Sequence, residues 1–178
     1  MSEEILDLIK KRKSVRKYEE KEVEDEKIEK LLEAAILAPS AGNRQPWKFI
    51  VIKDEDIISK VTSDPVSRFN QGWMDNGVPL MIAVCADPKV SAKKYGDRGR
   101  TLYAIQDTAA AIQNIMLTAA GLGLGTCWIG AFDEVEVSNM LELEPGLRIY
   151  GMITVGYPAK ESKRPSRKPL SDVVRYID

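Results

Sequence analysis

Residues 108–120, TAAAIQNIMLTAA, constrain the fold more than any other stretch of this chain. Their apolar side chains recur around most of a helical circumference, and such a helix is stable in water only when other structure covers it on several sides. The run predicts a long helix from about residue 100 to residue 120, buried inside a large core or between two subunits. Asp107, Gln113 and Asn114 argue against a membrane span, and no other apolar run approaches the ~20 residues that a bilayer requires. The opening MSEEILDLIKKRK is too charged and amphipathic for a signal peptide, which points to a cytoplasmic protein without a membrane partner.

A core able to cover that helix needs apolar material, and 44% of the 178 residues are hydrophobic, enough for one domain spanning 1–178. Cys85 and Cys127 lie far apart and form no C-x-x-C, so both read as buried, reduced thiols rather than a disulfide or a metal site. The chain has no histidine. Serine–histidine and cysteine–histidine relays and histidine metal sites are therefore excluded, and an enzyme of this sequence needs another source of reactivity, of which a cofactor is the obvious supplier. The net charge is −1, yet the basic residues gather in two islands, KKRKSVRK at 10–17 and KESKRPSRK at 160–168, in an otherwise acidic chain. That distribution suits a local anion site, or two solvated charge runs, better than a broad nucleic-acid surface.

Around the long helix the sequence alternates elements. An amphipathic helix carrying Ile5, Leu8 and Ile9 starts at Ser2, and a second, capped by Asp25, carries Ile28, Leu31, Leu32, Ala35 and Ile36 and stops at Pro39. Strands are expected at 46–52, 79–85, 126–132 and 147–155, with short helices at 54–61 and from Asp133 to Leu141. Residues 62–78 read as mostly loop, and 89–99 as a charged connection able to form a small flap. The C-terminal PLSDVVRYID has strand character at 173–177 but no hairpin partner, as expected of a tail that reaches across a dimer. Alternating strands and helices by themselves suggest a parallel sheet.

Three segments carry candidate chemistry. Gly121-Leu-Gly-Leu-Gly125 has the composition of a nucleotide loop but the wrong polarity, following a helix and opening a strand, so it reads as a helix cap and a place of close backbone approach. In Arg12-Lys-Ser-Val-Arg16, alternation in an extended chain turns Arg12, Ser14 and Arg16 to one side, where a phosphate would fit. Ala38-Pro-Ser-Ala-Gly-Asn-Arg-Gln-Pro-Trp47 offers Ser40, Asn43 and Gln45 either to the edge of a heterocycle or to ordinary turn formation. Trp47, Trp73 and Trp128 suit a core better than a substrate stack, and Asp107 suits a pairing at a subunit interface.

Taken in order, RKSVRKY, APSAGNRQPWKF, AAAIQNIMLTAAGLGLGTCWIGAF and a late RKPL resemble the nitroreductase family of flavoproteins over essentially the whole chain. The resemblance implies an α+β fold with a central, mostly antiparallel sheet flanked by helices, in an interlocked homodimer whose C-terminal extension crosses to the partner. It also implies an FMN site at the dimer interface. By that resemblance Arg12, Lys13, Ser14 and Arg16, joined by Arg167 and Lys168, bind phosphate and ribityl. Pro39, Ser40, Ala41 and Asn43 form a loop contributed by the other subunit, Asn70 meets the pyrimidine edge, and Ile129, Gly130 and Ala131 pass the ring near its reactive nitrogen. Some members carry a carboxylate where this chain has Gly130, so only backbone contacts are implied there. No residue is assigned as a catalytic acid or base and no metal is implied, because FMN carries the chemistry.

The resulting reading is a ping-pong oxidoreductase that takes electrons from NADH or NADPH and passes them to nitroaromatics, quinones or similar small electrophiles. Beside it stand a flavin-binding sensor or storage protein without significant turnover, and a reductive dehalogenase-type branch of the same family.

Overall fold

The computed structural model describes residues 2–62, 77–161 and 163–177. Its centre is a four-stranded sheet of β1 (Trp47–Ile52), β2 (Leu80–Ala86), β3 (Gly125–Ile129) and β4 (Arg148–Gly156), in the order β1-β2-β4-β3. Every neighbouring pair is antiparallel, as the family resemblance implies and against the parallel sheet suggested by alternation. Alternation records only which elements follow one another along the chain. Strand direction is fixed by which strands come to share an edge, and here the non-consecutive β2 and β4 pair at the centre.

The inner strand β2, LMIAVCA, is buried at every position, which is why it reads as an unbroken apolar run. Its Leu80, Ile82 and Val84 join Ile153 and Val155 of β4 on one face, against Leu31 and Ala35 of α2 (Asp25–Ile36) and Ala111, Ile112 and Ile115 of α5 (Ala104–Gly121). On the other face Met81, Ala83 and Cys85 pack with Met152, with Ile58 and Val61 of α3 (Glu55–Thr62), and with Val137 of α6 (Glu134–Met140). The result is a sheet between two helical layers.

The first helix, α1 (Ser2–Lys11), has charge complementary to its dipole, with Glu3 and Glu4 in its first turn and Lys10 and Lys11 in its last. Its apolar residues, however, are largely uncovered, with Ile5 65% and Leu6 51% exposed. In α2 the capping position is Glu24 rather than Asp25, and it makes no side-chain cap bond; Asp25 lies in the first turn and pairs with Lys53. Ile36, expected in the core, is 54% exposed. Asp133 does cap α6, its Oδ1 accepting the Glu136 amide at 2.9 Å.

The connection expected at 89–99 is instead α4 (Pro88–Arg98), followed by a π turn at Gly99–Tyr103 that leads into α5. The missed signal is Asp87-Pro88. Asp87 accepts the Lys89 amide at 2.9 Å, and proline at the first helical position has no amide to leave unpaired. Gly123, at φ +76°, ends α5 in the left-handed conformation that favours glycine. The strand expected at 173–177 does not form. A 3₁₀ turn at Leu170–Asp172 gives way to exposed, irregular chain. Among the described residues, no helix is long and apolar enough to cross a membrane.

Candidate cofactor site

The basic segment after α1 is laid along the edge of β3. The Arg12 amide makes the last helical bond to the Leu8 carbonyl at 3.1 Å, and the Val15 amide then donates to the Thr126 carbonyl at 2.8 Å. The Val15 side chain is buried on top of Gly125, where an added Cβ would lie 2.7–2.8 Å from all three of its side-chain carbons. The glycine run is thus a cap followed by a close approach, the alternative to a nucleotide loop. Gly125→Ala is expected to cost roughly 1–3 kcal/mol and lower the thermal midpoint by roughly 3–10 °C. A midpoint equal to the parent's in a thermal melt would show that Val15 does not need this seat.

With Val15 turned inward, alternation presents Arg12, Ser14 and Arg16 on the other side. The Cys127 thiol registers their convergence. Burial pushes its pKa up, while the Arg16 charge, hydrogen bonds with Ser14 and Arg16, and the Arg12 charge all act in the opposite direction.

Chain on leaving β4 brings in the second island. The Glu19 amide donates to the Tyr157 carbonyl at 2.9 Å and the Ala159 amide to the Lys17 carbonyl at 3.1 Å, so the two segments run side by side. Arg164 Nη1 then donates to the Lys10 carbonyl at 3.3 Å, and Lys13 lies 3.9 Å from Glu161. The Arg12 guanidinium has its pKa lowered first by burial and next by the charges of Arg167 and Arg164. Cations from both islands therefore crowd one place, and an anion there would relieve their repulsion. Arg164 was not singled out in the sequence, although it stands in the same island. Arg167 Nη1 donates to the carbonyls of Pro165 and Ser166 at 3.0 and 3.2 Å, and Lys168 is exposed.

The strand leads from this cluster to a second feature. From Thr126 to Gly130 it advances about 13 Å at a strand's usual rise. Ile129 is buried, Ala131 half-buried and Gly130 exposed, and a Cβ at Gly130 would meet nothing within 4 Å. The backbone there faces open space, as a flat ligand lying along it requires.

The loop at Pro39–Gln45 sits elsewhere. It opens β1, and β1 and β3 are opposite edges of the sheet, about 14 Å apart at ordinary strand spacing. Its turn is internally bonded: the Asn43 amide donates to the Ser40 carbonyl at 2.9 Å and the Gln45 amide to Ser40 Oγ at 3.0 Å. Gly42, Asn43 and Gln45 all have positive φ, at 58°, 53° and 48°. Such a conformation costs a non-glycine residue about 1 kcal/mol or more, and strain of this kind gathers at functional loops. An outside hold compensates. Asp107 Oδ1 accepts the Ala41 amide at 3.0 Å, and a hydrogen bond to a charged group contributes about 1.5–3 kcal/mol. Asp107 is thus engaged inside its own chain and 5% exposed, not placed for pairing at a subunit interface.

The described side chains provide no evident nucleophile. Burial pushes the Cys85 thiol up to about 12 and raises that of Cys127, so both stay protonated near neutral pH and inert. Trp47 packs against the core, as expected, while Trp128 is 40% exposed. Asn70 and Trp73 lie outside the described residues.

A model of the nitroreductase family matches residues 9–157. The chain belongs to the nitroreductase family. A nitroreductase relative from Archaeoglobus fulgidus, provisionally named NADH dehydrogenase/NAD(P)H nitroreductase, is 38% identical over 89% of this chain and 88% of its own length. A solved nitroreductase-family protein from Clostridium difficile superposes with a TM-score of 0.80 at 33% identity, covering 96% of each chain. Another, from Desulfovibrio desulfuricans and provisionally called a nitroreductase, was solved in complex with FMN. It superposes with a TM-score of 0.80 at 30% identity, covering 98% of this chain and 96% of its own.

Proposed function

We propose that this nitroreductase-family chain is an FMN-dependent oxidoreductase, one domain over 1–178, that carries electrons from NADH or NADPH to nitroaromatics, quinones or similar small electrophiles in a two-stage, ping-pong cycle. The observation that carries the reading is that Arg164 of the second island donates to the Lys10 carbonyl of the first, so that its charge and that of Arg167 act on Arg12, beside the strand whose Gly130 faces open space. Bound FMN supplies hydride and electron transfer, so the chain needs no acid, base or nucleophile of its own.

Arg12, Ser14, Arg16, Arg167 and Lys168, with Lys13, hold the phosphate and ribityl; their charge-assisted bonds fix one end of the ligand. The backbone of Ile129, Gly130 and Ala131 would line the ring, with the amide of Gly130 or Ala131 as the donor available to its reactive nitrogen. Asn70, outside the described residues, would meet the pyrimidine edge by the family resemblance. Pro39, Ser40, Ala41 and Asn43 complete the site of the other subunit, because the sheet separates this loop from the basic cluster of its own chain. A homodimer would bring this loop to the basic cluster of the partner, and the exposed apolar side chains of α1 and of the C-terminal tail support it.

Anaerobic addition of NADH or NADPH to the FMN-loaded protein is expected to bleach the flavin absorbance, and a nitroaromatic or quinone to restore it. Flavin that stays oxidised with both nucleotides would favour a sensor or storage protein instead.

A further inference from the structure

The buried carboxylate of Asp107 has no part in the function proposed above, yet it is held under the loop that would complete the partner's site. Its Oδ1 accepts the Ala41 amide at 3.0 Å, whereas its Oδ2 is buried with no hydrogen-bond partner among the described residues. A half-partnered carboxyl in the interior destabilises a fold relative to an apolar side chain of similar size. The segment it holds is also unfavourable in isolation, with Gly42, Asn43 and Gln45 in left-handed conformation within four residues. Above the same turn, an added Cβ at Gly42 would lie 2.5 Å from Tyr95 Oη and 3.1 Å from Lys94 Nζ, both from α4. The turn is therefore held by Asp107 of α5 and bounded by Lys94 and Tyr95 of α4.

We propose that Asp107 is a positioning residue, which fixes the Ser40–Gln45 turn through the Ala41 amide in the conformation that binds the flavin of the partner subunit. The inference rests on the FMN-binding reading. It explains why a buried carboxylate stands in a stripe of α5 otherwise made of Ala104, Thr108, Ala111, Ile112, Ile115 and Met116. Only an acceptor can hold the Ala41 amide, and leucine at this place would pack better but leave the turn unheld. Stability and ligand binding should then move in opposite directions, which a purely structural role would not produce.

The test compares Asp107→Leu and Asp107→Asn with the parent by three measurements: the thermal midpoint without FMN, hydrogen exchange of the Ala41 amide, and FMN affinity. The leucine variant is expected to melt at or above the parent's midpoint, to exchange Ala41 at least about tenfold faster, and to bind FMN roughly tenfold more weakly. The asparagine variant keeps an acceptor at Oδ1 and is expected to recover both exchange protection and affinity to within about twofold. Parent-like FMN affinity in the leucine variant, or an asparagine variant as impaired as the leucine one, overturns the proposal. If the parent itself binds no FMN, the functional reading fails. The Ala41 exchange comparison then decides by itself whether Asp107 holds the turn.

Discussion

Arg12→Ala and Arg167→Ala are each expected to weaken FMN binding roughly ten- to a hundredfold, because a charge-assisted contact to a phosphate contributes about 1.5–3 kcal/mol and each 1.4 kcal/mol is a factor of ten. The structure sharpens this expectation. Arg164 donates to the Lys10 carbonyl, and the charges of Arg167 and Arg164 act on Arg12, so the two islands influence one another. Removing one cation also relieves repulsion among the others, so a double variant should lose less than the product of the two single effects. Riboflavin is the control, since it lacks the phosphate. Its weaker binding should hardly change in either variant, whereas damage to the fold would lower both affinities. Asn70→Ala should weaken FMN and riboflavin alike, as a ring contact does. Titration of flavin fluorescence measures all of these, and parent-like FMN affinity in the arginine variants would make the islands solvated surface charge.

Truncation after Lys168 is expected to dissociate the dimer and with it the bound flavin. The lost segment presents Leu170, Val173, Val174, Tyr176 and Ile177 at 76, 61, 42, 84 and 84% exposure, an apolar row left uncovered by the described residues of its own chain. Fully burying a side chain such as leucine or valine contributes about 1.5–3 kcal/mol. Even half of that over five side chains, for each of two tails, amounts to several kcal/mol, so the dimer constant should weaken by at least about a thousandfold. Because the proposed flavin site draws groups from both subunits, FMN retention should fall together with association. Sedimentation and flavin content after gel filtration measure the two quantities. A truncated protein that stays dimeric and yellow would show that the tail is not the clamp.

Much of the site was legible because local chemistry wrote it. Alternation in Arg12-Lys-Ser-Val-Arg16 set Arg12, Ser14 and Arg16 on one side, and the structure buries Val15 between Ser14 and Arg16; the polarity of the 121–125 glycines, after a helix and before a strand, argued against a dinucleotide loop. What failed locally failed for identifiable reasons. The helix at 88–98 was hidden by its charge and by Gly96, although Asp87-Pro88 announced its start. The tail at 173–177 has β-forming side chains, but among the described residues no neighbouring strand supplies the ladder that a strand needs.

The amino-acid sequence by itself determined the existence and order of most elements, the apolar character of β2 and α5, and the order of motifs that marks the family. Each of these depends on residues a few positions apart, through capping, periodicity and turn formation. Only the tertiary structure decided that β2 and β4 pair antiparallel at the centre, that Arg164 reaches the Lys10 carbonyl beside Arg12, and that Asp107 holds Ala41 rather than a second subunit. Those partners are 66 residues apart for the last pair and farther for the arginines, and no local preference specifies such a meeting. It follows from how the whole sheet and its two helical layers bury their apolar faces together.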